Sequence, residues 1–397
     1  MAFLFKHKTR TPAELVKQIR LDLEGVEGID MGSSSPGKTN KKLSFNSTLK
    51  ALAGKDGKSL SGDLATQKAA KHLGQLRRML LGDESIDTKI GSSSEAVNER
   101  DANNGRARGS GATSTSVAAT KDCAAAVTEM CDQGLIKDLC LALAQLNLEV
   151  CRDITTCIST AVGYISEDTG DKPGVDYLRR NQEIFDILSA GFKDDSTALH
   201  CGNILREFNR CVDLCTIMVL DPGQVLWRLF EYAECAEFSV QSDVFDTLKE
   251  LLLKHKEVTS KLLSEKYDRV IAEYTKLLTS EAYMTKKLSL GLLGKLLLEH
   301  VKGGAGGMLQ FIDDARNLRL IMNLLKDAAP SIQLEAFHIF KVFVANPAKP
   351  MGILEILGRN KDKLISFLEN FHNDKDNEQF KSEKVIVMQH INAIDYL

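Results

Sequence analysis

No apolar segment of the 397-residue chain reaches the roughly 18–20 residues that a membrane-spanning helix needs, and this excludes a helical span. The apolar start Ala2–Phe5 runs straight into Lys6-His7-Lys8 and is too short for a signal peptide. Charge of one sign is also missing. Lys and Arg number 51 against 54 Asp and Glu, a formal net charge of −3, so no global basic field points to nucleic acid. Aromatic residues make up only 6% of a chain that is 43% hydrophobic, and Leu dominates the apolar runs, which suits helices better than strands. Catalytic signatures are absent as well: there is no H-E-x-x-H and no G-x-S-x-G elbow, so no catalytic residue is assigned.

Nine cysteines are present, an odd number, and no two stand in a C-x-x-C pair. Cys123, Cys131, Cys140, Cys151, Cys157, Cys201, Cys211, Cys215 and Cys235 lie on segments that read as helical. This is the usage of a reduced, cytoplasmic compartment. Cys211 and Cys215 share a helical face, and His200-Cys201 could be drawn in beside them as metal ligands. Small buried apolar side chains in helix packing account for the same residues, so neither metal nor cofactor is expected.

What the chain does have is a period. In Leu334–Lys349, Phe337, Phe340 and Phe343 recur every three residues and form one helical stripe, with a stop at Asn346-Pro347. The same apolar-x-x-apolar pair as Phe340/Phe343 recurs upstream at Leu293/Leu296, Leu248/Leu251, Leu205/Phe208 and Val162/Ile165, at spacings of 47, 45, 43 and 43 residues. That is the armadillo/HEAT period, in which each unit buries its apolar face against its neighbours. The expected fold is an all-α, armadillo/HEAT-like helical-repeat solenoid.

Organisation follows from where that pattern holds and fails. Thr11-Pro12-Ala13-Glu14 reads as a helix start, with Leu15, Ile19, Leu23 and Val26 at helical spacing, so residues 1–30 form an N-terminal helix ending near Gly28. Residues 31–63 are Ser/Gly/Lys-rich and 82–116 are Ser/Gly-rich; neither carries enough apolar area to offset its ordering entropy, and both are expected to be flexible insertions. A helix of the solenoid is expected over 64–81, and helical repeats over 117–397, with a capping helix over Phe380–Ile394.

Gly32–Thr39 satisfies the G-x-x-x-x-G-K-[ST] spacing of a nucleotide phosphate loop, and Thr216–Asp221 could be the strand ending in a metal-binding Asp. A P-loop nucleotide-binding protein is therefore the first rival. Its context fails, because polar Glu24–Asp30 precedes the loop, no helical stripe follows it, and Cys211, Leu214, Ile217 and Met218 read as a helix ending before Pro222. Asp374–Glu378 opens like a calcium loop, yet Gln379 replaces the required Gly and Val385 the required Glu.

Leu334–Lys349, Ala198–Glu207, Phe238–Phe245, Tyr267-Asp268-Arg269 and Thr285–Leu290, with Phe5 and Thr11–Lys17 at the start, resemble the calcium-binding protein 39 family of armadillo-like scaffolds. The resemblance implies a non-catalytic adaptor. Such a protein cups a sterile-20-like kinase or a related pseudokinase on its concave face and activates it, and it takes a C-terminal Trp-Glu-Phe tail in a separate pocket. For the concave face it implies Phe238, Tyr283 and Lys287, the last standing where the family carries Arg; a family Lys and Arg give way to Gly291 and His300. For the peptide pocket it implies Met322 and Arg359. Lys326 and Lys363 lie on the same segments, and a pliable Met ringed by cations suits an aromatic-plus-carboxylate peptide. A second rival is a generic helical-repeat adaptor that has lost the kinase site.

Overall fold

The computed structural model describes residues 10–26, 29, 60–82, 121–220, 225–234, 237–302, 306–373 and 377–394. Nearly all of both Ser/Gly-rich segments, together with the Gly32–Thr39 loop, Asp221, Cys235 and Asp374–Asp376, lies outside those residues. Among the described residues there are nineteen α-helices, one 3-10 turn and no strand. Two compact units divide the chain, Met1–Arg180 and Asn181–Leu397.

The first unit holds α1 (Pro12–Glu24), α2 (Leu60–Leu81), α3 (Lys121–Asp132), α4 (Leu135–Ala142), α5 (Leu148–Gly163) and α6 (Pro173–Arg180). Local chemistry starts α1: the Glu14 N–H donates to the Thr11 hydroxyl, the Thr11 N–H donates to the Glu14 carboxylate, and Pro12 takes the first helical position. The helix stops at Glu24, a turn short of Gly28, because the Gly25 N–H folds back onto the carbonyls of Asp22 and Leu23. Leu15, Ile19 and Leu23 are fully buried where α1 meets α2, α3 and α4. Arg20 Nε donates to Asp138 at 2.6 Å, bracing α1 on α4. Burial pushes the Asp138 carboxyl up, and Arg20 opposes that shift. Helix α2 begins at Leu60, a turn upstream of the Leu64 start read from the pattern.

One pair of the periodic series departs from expectation. Val162 is buried, but Ile165 is 52% exposed. Helix α5 ends at Gly163, and Tyr164 turns to extended backbone at φ −68°, ψ 133°, so the helical phase is lost before Ile165.

The second unit comprises α7 (Glu183–Ala190), the 3-10 turn Gly191–Lys193, α8 (Asp195–Phe208), α9 (Val212–Val219), α10 (Val225–Tyr232), α11 (Phe238–Leu253) and α12 (Lys256–Leu278). It continues through α13 (Tyr283–Lys302), α14 (Gly306–Asp313), α15 (Ala315–Leu324), α16 (Pro330–Ala345), α17 (Met351–Arg359), α18 (Lys361–Glu369) and α19 (Glu378–Asn392). Its organisation is that of a helical-repeat solenoid. Helix α8 packs on α11, α11 on α13, α13 on α16 and α16 on α19, forming a ladder of equivalent helices. The four remaining apolar pairs are the buried rungs: Leu205/Phe208, Leu248/Leu251, Leu293/Leu296 and Phe340/Phe343. Thr216–Val219 belongs to α9 and is helical, which removes the strand that a nucleotide-binding reading requires there.

Polar side chains repeat the same register. Arg206 donates to Thr247 at 2.8 Å, Asn209 to the Glu250 carbonyl at 2.8 Å and Gln241 to Thr285 at 2.7 Å, across 41, 41 and 44 residues. Lys286 meets Asp327 at 2.8 Å and Lys341 meets Glu383 at 2.7 Å, across 41 and 42 residues. Each hook joins one ladder helix to the next repeat and gives its donor a partner that a slipped register would remove. Gly202 makes room for the first of these hooks, since a Cβ there would stand 3.0 Å from Arg206 Nη1 and 3.3 Å from Thr247 Oγ1.

The Lys286–Asp327 hook has a pH signature. The hydrogen bond from Lys286, the largest influence, holds the Asp327 carboxyl below its ordinary 3.8. A depressed folded pKa contributes stability above the unfolded value, and that stability is lost as pH falls through the folded one. Lys286→Met is therefore expected to cost about 1.5 kcal/mol at pH 7, with the deficit shrinking as Asp327 protonates below pH 3.8. Urea titrations of both chains at pH 7 and at pH 3 check this; an equal deficit at both would contradict it.

Candidate functional site

Two ladder helices open on exposed aromatic side chains. Phe238 is the first residue of α11 and is 61% exposed; Tyr283 is the first residue of α13 and is 43% exposed. Helical phase explains both. Val240 and Thr285, each two positions on and so on the opposite side of the helix, are buried, which leaves the first position of each helix facing out. The Tyr283 hydroxyl lies 2.7 Å from the Ser331 hydroxyl on α16, so its ring is anchored at the tip. One turn along, Lys287 places its ammonium 5.9 Å from the Tyr283 ring centroid. Its neighbour Lys286 is turned away to Asp327. Tyr283 and Lys287 thus share one side of α13, and Phe238 is exposed at the start of the adjacent ladder helix α11. Leu199 on the neighbouring ladder helix α8 is also exposed, at 43%. No motif marks Leu199; its signal is phase, since it falls off the stripe of Ala198, Cys201 and Leu205.

The four residues read as a peptide pocket are distributed over packed elements. Met322 is half-buried on α15, Lys326 is exposed just beyond it, Arg359 ends α17, and Lys363 is exposed in the first turn of α18. Helix α15 packs on α17, and α17 on α18. Arg359 is already engaged, 2.6 Å from Glu355 on its own helix. Of the four only Lys363 lines the neighbouring cleft, a space of about 950 Å3 shared with Gln333, Asp362, Phe367, Phe371 and His372. Phe367 and Phe371 stand one turn apart with ring centroids at 5.2 Å, and Phe371 continues to Phe337 at 5.7 Å. The buried ammonium of Lys384 fixes the turn that closes the cleft, donating to the Phe371 carbonyl at 3.1 Å and to Asn373 at 2.6 Å. Burial lowers the Lys384 pKa.

The cysteines have no part in these surfaces. Seven of the eight described are buried, and burial pushes the thiols of Cys131 and Cys215 up to about 12, opposite to what a nucleophile needs. Among the described residues no group of three His, Cys, Asp or Glu could hold a metal, and no helix is long and apolar enough to cross a membrane.

The sequence profile of the Mo25-like family matches residues 3–395. The chain belongs to the Mo25-like family. It is 41% identical over 267 residues to the degreening-related gene dee76 protein of Auxenochlorella protothecoides, covering 67% of this chain and 82% of that one. It is 38% identical over 265 residues to the calcium-binding protein 39-like protein of Homo sapiens, covering 66% and 77%. A designed armadillo repeat protein aligns with a TM-score of 0.35 at 11% identity, over 70% of this chain and 94% of that one. The fold argument rests on the helix contacts rather than on that alignment. Family membership makes this a scaffold-type protein of the Mo25 class.

Proposed function

We propose that the chain is a non-catalytic cytoplasmic scaffold that binds and activates a sterile-20-like kinase or pseudokinase through the face bearing Phe238, Tyr283 and Lys287. The observation that carries this reading is the display of exposed aromatic side chains on consecutive ladder helices, one of them flanked by a cation. Covering a large apolar side chain contributes about 1.5–3 kcal/mol, and aromatic residues beside a positive charge are the usual anchors of an interface.

The second contact of this reading is a Trp-Glu-Phe-type C-terminal peptide held near Met322, Lys326, Arg359 and Lys363. The cleft beside Lys363 supports it, because Phe367 and Phe371 offer aromatic edges and Lys363 a donor to a carboxylate. Fluorescence anisotropy with a labelled peptide ending in Trp-Glu-Phe tests this contact. Met322→Ala is expected to weaken binding about thirtyfold and Lys363→Ala about tenfold. Arg359→Ala should matter less than Lys363→Ala, since its charge is shared with Glu355. Loss with Lys363→Ala should shrink in high salt, as screening removes a charge contact and spares an apolar one. A wild-type chain that ignores the peptide at high micromolar concentration would end the pocket assignment and leave the kinase face to stand alone.

A further inference from the structure

Below Tyr283 the seam between α13 and α16 is built from small residues. Tyr283 meets Ser331 at the top. Further down, a Cβ on Gly291 would stand 3.9 Å from Glu335 Oε2 and touch nothing else, and one on Gly294 would meet Ile339 at 4.0 Å. Gly291 therefore leaves a notch in the ladder face, walled on one side by the half-buried Glu335 carboxylate. Among the described residues nothing donates to that carboxylate, in contrast to Asp327 and Glu383, which are each held by a lysine from the preceding ladder helix.

The flanks carry the opposite charge. Lys287 precedes Gly291 by four residues and Lys295 follows it by four, so the three positions lie on one stripe of α13 about 6 Å apart. Lys287 is drawn toward the Tyr283 ring and Lys295 is exposed, and neither reaches Glu335. Along the seam the surface reads positive, negative, positive, with the negative charge recessed where Gly291 has no side chain.

We infer that this notch receives a basic side chain, Arg or Lys, from a helix of the bound protein whose acidic residues one turn to either side meet Lys287 and Lys295. A partner helix laid along α13 has the same 6 Å step between residues four apart, so the three charge pairs can form together. A half-buried carboxylate is less screened than one on open surface, which makes the central pair the discriminating one. A partner with an acidic or bulky apolar residue at the central position is disfavoured by the unmatched carboxylate.

This inference rests on the kinase-binding reading and deepens it, and its test separates the two. Biolayer interferometry would measure the full chain against purified sterile-20-like kinase catalytic domains. Glu335→Gln keeps the shape and removes the charge; Gly291→Lys fills the notch and neutralises Glu335 from within; Gly291→Ala adds one methyl that the space accepts. The expected result is a loss of about tenfold in affinity for Glu335→Gln and for Gly291→Lys, and a smaller loss for Gly291→Ala, whose single methyl takes only part of the notch. Combining Glu335→Gln with Gly291→Lys should cost little more than either alone, because both remove the same contact. Wild-type binding that none of these changes would overturn the notch and leave the kinase reading intact. No binding by the wild-type chain to any kinase domain would overturn both.

Discussion

Replacing Phe337 by alanine is expected to lower the stability of the second unit by about 4 kcal/mol, the middle of the range for deleting a buried ring. Phe337 is fully buried, and its ring lies 5.7 Å from Phe371 and 5.2 Å from Phe380. These contacts join ladder helix α16 to the turn after α18 and to the first turn of α19. The neighbours cannot collapse into the void independently, since Phe371 is also tied to Phe367 and its carbonyl accepts from buried Lys384. The loss should therefore reach the cleft: peptide affinity would fall in Phe337→Ala even though the residue does not line it. Phe367→Ala supplies the contrast, because that side chain is half-buried and should lose peptide affinity with a smaller stability cost. Urea denaturation of both variants checks the pair. A Phe337→Ala chain as stable as wild type would show that the last repeat is held by something other than this aromatic cluster.

The exposed face predicts the reverse behaviour. Changing Phe238 and Tyr283 together to alanine should reduce kinase affinity by about a hundredfold, the sum expected for two anchors at about 1.4 kcal/mol each. Stability should change much less than in Phe337→Ala, since Phe238 is 61% exposed and Tyr283 43%. The single variants separate ring from anchor. Tyr283→Phe keeps the ring and removes the hydroxyl contact to Ser331, so it should bind between wild type and Tyr283→Ala. Calorimetric titration against a sterile-20-like kinase domain measures the series, and equal affinity of the double variant and wild type would exclude the two rings as anchors.

The architecture was legible because a solenoid writes its packing into the sequence at one period. Phe337, Phe340 and Phe343 are all fully buried in α16, and the apolar pairs from Leu205/Phe208 onward line the ladder. Thr11 and Glu14 form the capping box that their spacing suggests. Ile165 misled because periodicity cannot see a helix end: Gly163 closes α5, and the apolar residue two positions later belongs to a loop. Sites were harder to read than rungs. Lys286 and Lys287 are adjacent in sequence, yet helical phase sends one to Asp327 and leaves the other over Tyr283. Arg359 reads as a free cation until Glu355 is found one turn before it. The cleft joins Gln333 on α16, Phe367 on α18 and the turn at Phe371–Asn373, so no single window of sequence contains it. Gly291 is an ordinary helical glycine in sequence and becomes a notch only when Glu335 is set beside it.

The central claim, that the ladder face binds and activates a kinase, is tested most directly by the phosphotransfer rate of a sterile-20-like kinase with saturating full-length chain. Wild type should raise the rate. Lys287→Glu should not, while melting at the same temperature, because a charge reversal on a surface usually costs less than about 0.5 kcal/mol. Lys261→Glu, at an exposed position on α12 that faces Glu265 of the same helix, should stimulate like wild type. Stimulation by Lys287→Glu equal to that by wild type, or no stimulation by any of the three chains, would contradict the account.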